Sequence, residues 1–125
     1  MREEELERRI DVIERGYEYL LAYAAQGRQS DVGSEARQTL VNMHAALDGL
    51  GEGVHAAVSA ASPTGVNEAA GFIEAIEDDA RKARGAIGLV LSRPAISSAL
   101  VDNLNASIHL RALLTDVFLV EQALK

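Results

Sequence analysis

Residues Leu47–Ser62 read LDGLGEGVHAAVSAAS. Whether this stretch is one helix or a break decides how many rods the chain forms. Gly49, Gly51 and Gly53 fall close together, which costs a helix about 3 kcal/mol relative to alanine. The apolar series Leu47, Leu50, Val54, Val58 nevertheless keeps to a single helical face. At about 100° per residue, Gly51 falls on the core side and Gly49 and Gly53 point away. The preserved phase predicts an uninterrupted helix over 47–62. Gly51 then gives a bulky neighbour, such as a tyrosine of the first helix, room to reach the backbone.

Working outward, Leu40 and Met43 extend this stripe upstream and Ala61 extends it downstream. An earlier stripe runs Leu6, Ile10, Ile13, Tyr17, Leu20, Ala24 and stops at Gly27, a natural C-terminal residue for a helix. Between them QGRQSDVGS, residues 26–34, is turn-rich, with Ser34 placed to cap the next helix. Ser62-Pro63 fits a capping serine followed by proline in the first helical position. A third stripe, Val66, Ala69, Ile73, Ile76, Ala80, Ala83, Ile87, Val90, ends at Ser92-Arg93-Pro94, because the residue before proline is pushed out of the helical region. The fourth runs Ala99, Ala106, Leu110, Leu113, Val117, Val120, Leu124, with Ser97 and Ser98 near its start. No segment alternates with period two. Four helices of about 24 to 30 residues, each roughly 36 to 45 Å long, joined by short connections, predict an all-α fold. The expected architecture is an antiparallel up-down-up-down four-helix bundle, with residues 1–125 as one domain.

Composition narrows the chemistry. The 125 residues are 48% hydrophobic and 25% charged, the balance of a globular domain. With no cysteine, disulfides, thiolate metal sites and cysteine nucleophiles are excluded. The opening MREEELERRI is acidic and lacks the apolar segment of a secretory leader. No run approaches the roughly 18 apolar residues of a membrane span, so the expectation is a soluble cytoplasmic chain with no membrane contact. A net charge of −7 opposes binding to nucleic acid. Arg81, Lys82 and Arg84 follow Glu77, Asp78 and Asp79 and read as a salt-bridged helix face.

One spacing resembles a ligand set. Glu52 and His55 form Glu-x-x-His, which di-iron bundles use on two helices together with single carboxylates from two others. The fourth helix offers only Asp102 and His109, seven apart. Half the set is missing, so no metal and no other cofactor is expected. His44 lies about 16 Å from His55 on one helix, too far to share an ion, and both histidines read as flanking the core. No phosphate loop, nucleophile elbow or catalytic carboxylate pair is present.

On a continuous fourth helix, Val101, Leu104, Ile108, Ala112 and Leu119 fall about 120 to 200° from the core stripe. They would form an exposed apolar ridge, the usual mark of a partner surface. Tyr17, Tyr19 and Tyr23, near Gly16 on the first helix, line up as a possible pocket with Gly51. The expected role is therefore a non-catalytic interaction protein (a regulator, adaptor or chaperone-like subunit) acting as a homodimer through that ridge. The alternatives are a carboxylate–histidine metal bundle and a small-molecule bundle with its pocket near Gly51 and the tyrosines.

Overall fold

The computed structural model describes residues 3–125. Among them the fold is all-helical, with seven helices and no strand: α1 Glu3–Ala24, α2 Ala36–Leu47, α3 Leu50–Ala61, α4 Pro63–Glu68, α5 Ala70–Leu91, α6 Ser98–Ile108 and α7 Leu110–Ala123. No helix among the described residues is long and apolar enough to cross a membrane.

The expected breaks are in place. Gly27 adopts φ +66° after α1. Ser62 caps α4, its Oγ accepting from the Gly65 amide at 3.1 Å, with Pro63 in the first turn. Ser97 caps α6 in the same way, through the Leu100 amide at 3.1 Å. Ser34 accepts from the Ala36 amide at 3.3 Å, although the residue flanking α2 is Glu35. Between α4 and α5 only Ala69 departs from helical geometry. The Ala69 amide still bonds Gly65 and the Ile73 amide bonds Ala69, so the third stripe bends without ending.

Two further breaks overturn the expectation of four unbroken helices. Residues 47–62 do not form one helix. Gly49 takes φ +70°, a left-handed conformation open to glycine at little cost, and α2 ends before it. Arg9 of α1 donates to the Asp48 carbonyl at 2.5 Å, satisfying an acceptor that the break exposes. Beyond the turn Gly53 donates to Gly49 and α3 begins. Leu47, Leu50, Val54 and Val58 remain buried on both sides, which is why the phase concealed the turn. Gly53 is buried as well, against the outward position expected for it.

The second unexpected break is His109, at φ 47° and ψ 47°. Histidine is among the few non-glycine residues enriched in this region. In a continuous helix Ile108 and Leu110 would point about 200° apart. The turn resets the phase, and both are buried.

Helix α1 packs on α2, α3, α6 and α7, and α5 packs on α2, α3, α6 and α7. Along α5 the sequence stripe is the core: Ile73, Ile76, Ala80, Ala83, Ile87 and Val90 are all buried. On α1 the buried edge shifts toward Gly16 and Tyr23, leaving Tyr17 and Ala24 half-buried. Gly16 lets Met43 lie against the helix backbone, since an added Cβ would sit 2.5 Å from Met43 Cγ.

Candidate functional site

The densest polar cluster joins the loop after α1 to the connection between α5 and α6. Tyr23 is fully buried and donates its hydroxyl to the Ile96 carbonyl at 2.5 Å. Ser98, buried at 2% exposure, donates to the Tyr23 carbonyl at 2.7 Å and accepts from the Arg28 amide at 2.9 Å. Asp31 accepts from the Ile96 amide at 2.8 Å and pairs with Arg37 Nε at 3.1 Å. Arg37 also donates to the carbonyls of Leu91 and Arg93, at 3.1 and 2.9 Å. The Ile96 amide, with the Arg37 guanidinium behind it, holds the Asp31 carboxyl below its ordinary value against the opposing effect of burial. Every one of these groups is engaged in tying two loops together. The cluster is a clasp, with no free nucleophile or base.

Of the residues expected to line a pocket, Tyr19 and Tyr23 come together, and Tyr17 and Gly51 lie apart from them. Tyr23 belongs to the clasp, with the Arg28 guanidinium over its ring at 5.7 Å. Tyr19 stacks beside it, centroids 6.1 Å apart, and its hydroxyl accepts from the Glu35 amide at 3.1 Å. Tyr17 faces elsewhere, into an open groove of about 480 Å³ shared with Asn105, His109 and Asp116 at the α6–α7 turn. Gly51 packs on α5: its missing side chain makes room for Glu77, one of whose carboxylate oxygens is buried without a partner. The bulky neighbour at Gly51 is therefore a glutamate of α5, on which both α2 and α3 pack, and not a tyrosine of α1.

Glu52 and His55 are both exposed on α3. Among the described residues no group of three His, Asp or Glu side chains is arranged to hold a metal ion.

The apolar ridge of the last helix is divided by the His109 turn. Val101, Leu104 and Ile108 lie in the chain's own core, at 0, 4 and 3% exposure. On a continuous helix these three would face away from the core; the left-handed turn at His109 sets α6 in a different phase from α7 and turns them inward. Ala112 and Leu119 remain in solvent, Leu119 at 59%.

One surface was not singled out from sequence. Beside Leu119, Phe118 is 39% exposed at the edge of an open groove between α1 and α7. Glu7, Asp11 and Glu14 line the α1 side and Glu121 the α7 side. The signal was available: Glu7, Asp11, Glu14 and Glu18 recur at steps of four, three and four along α1. No family model, curated protein or solved structure matches this chain.

Proposed function

We propose that the chain is a non-catalytic interaction protein, a regulator, adaptor or chaperone-like subunit, that pairs with a second copy through the outer side of α7. Its architecture is taken as an antiparallel four-helix bundle whose rods are α1, α2–α3, α4–α5 and α6–α7. Supporting this are contacts that run in opposite order along neighbouring rods. On α1 and α2, Arg9 meets Asp48, Gly16 faces Met43 and Tyr19 meets Glu35. On α1 and α6, Leu20 meets Asn105 and Tyr23 meets Ser98.

The carrying observation is Leu119, 59% exposed on a helix that buries Leu110, Leu113, Leu114, Val117 and Val120. Covering the exposed part of such a side chain contributes about 1 to 2 kcal/mol. Ala112 lies two turns back on the same side, so a partner helix meets a narrow strip of two apolar side chains with Thr115 and Asp116 on the turn between them. Two-fold pairing is the simplest closed arrangement for one such strip, since it serves both subunits. Sedimentation of the wild type beside Leu119→Asp tests this. Leu89→Asp, at a comparably exposed leucine on α5, is the control that should leave the mass unchanged.

A further inference from the structure

We propose that the groove between α1 and α7 binds a basic amphipathic helix contributed by a partner protein. Such docking presupposes the interaction role proposed above and adds a second contact of defined chemistry beside the Leu119 strip. The groove has a volume of about 530 Å³, with Phe118 as its exposed apolar surface, Ile10 lining it at only 3% exposure, and Glu7, Asp11, Glu14 and Glu121 around it. Glu7 to Glu14 covers two turns of α1, about 10 Å. Asp11 is engaged by Arg15 at 3.0 Å. Glu7, Glu14 and Glu121 form no ion pair among the described residues, and of those residues Lys125 is the only cationic one in the lining.

The carboxylates also strain one another. Burial raises the Glu121 carboxyl above its ordinary value, and the charges of Glu7 and Glu14 push it the same way against Lys125. Cationic side chains laid along the groove relieve that repulsion.

Charge alone would suit any cation; Phe118 narrows the choice. The Phe118 ring, 39% exposed next to a buried Ile10, offers an apolar contact that a metal ion does not fill. A helix settling between α1 and α7 presents residues at i, i+3, i+4 and i+7 to the groove. One large apolar side chain on the Phe118 ring, with Lys or Arg one and two turns away, matches the arrangement. A second copy of this chain does not suit the groove, because it carries a charge of −7 and the same carboxylates.

The probe is a synthetic Leu/Lys amphipathic peptide of about 18 residues, five helical turns, carrying one tryptophan. The protein has no tryptophan, so fluorescence reports the peptide alone. The full chain should give a saturable blue shift, weakened by salt. Affinity should fall roughly tenfold or more for Glu7→Lys/Glu14→Lys, for Phe118→Ser, and for a scrambled, non-amphipathic peptide of the same composition. Glu7→Gln/Glu14→Gln keeps the test decisive if the lysine variant loses its helical spectrum, and should weaken binding in the same direction. Absence of a saturable shift overturns the proposal. So does unchanged affinity in any of these variants that stays helical, or equal binding of the scrambled peptide. The charge variants should sediment like the wild type, so lost peptide binding with an intact dimer overturns the groove assignment alone.

Discussion

The Cα of Glu77 lies 2.9 Å from the point where a Cβ on Gly51 would sit. At that distance a side chain on α3 presses on the backbone of α5, and rotamer changes offer no escape. Gly51→Ala is therefore expected to destabilise the fold by about 1 to 3 kcal/mol through overpacking, although alanine is the better helix former by about 1 kcal/mol. Gly16→Ala meets only the flexible Met43 side chain and should cost less. Urea denaturation of the two variants side by side checks the order; a stabilised Gly51→Ala would contradict the packing.

His109 holds the left-handed turn between α6 and α7 without a side-chain cap. A β-branched residue there meets the steric penalty of that conformation, about 1 to 2 kcal/mol. His109→Val should lower the melting temperature, while His109→Gly should hold it or change it little. A valine variant melting at or above the wild type would show that the turn is not maintained in solution.

Asp31 sets an acid limit on the clasp. Its carboxyl sits below the ordinary 3.8 because it accepts from the Ile96 amide and pairs with Arg37. The unfolded chain therefore binds that proton more readily. The stabilisation is present above the ordinary value and is lost as pH falls through the lowered one. Asp31→Asn keeps an acceptor but loses the charge, so it should cost about 1 kcal/mol near neutrality and flatten the acid limb of stability against pH. Glu121 has the opposite sign. Raised above the ordinary 4.5 by burial and by Glu7 and Glu14, it favours the fold below that value and loses this contribution as pH rises through the raised one. Denaturation midpoints across the acid range, for wild type, Asp31→Asn and Glu121→Gln, separate the two.

Glu52 and His55 stand in solvent on α3, with no further ligand arranged around them among the described residues. Elemental analysis after mild purification should find no stoichiometric iron, manganese or zinc. A stoichiometric metal that disappears with His55→Ala would contradict this.

Helical class, the loop after α1 and the starts of α4 and α6 were legible because each has local chemistry: Gly27, Ser62-Pro63 and Ser97. The whole buried face of α5 was equally plain from its period. The turns at Gly49 and His109 were not legible, for different reasons. Across Gly49 the apolar phase survives, so the sequence pattern is the same with or without the turn. At His109 there is neither glycine nor proline, and the only sign is that Ile108 and Leu110 demand opposite faces. Reading that conflict as surplus surface instead of a phase reset placed Val101, Leu104 and Ile108 outside the core. The clasp depends on partners such as Tyr23 and Ser98, far apart in the chain, which no local pattern links.

Pairing of two copies through the outer side of α7 is tested most directly by sedimentation equilibrium at micromolar concentration. The wild type should behave as a dimer, Leu119→Asp as a helical monomer, and Leu89→Asp as a dimer. A monomeric wild type, or a Leu119→Asp variant that still sediments as a dimer, would contradict that pairing.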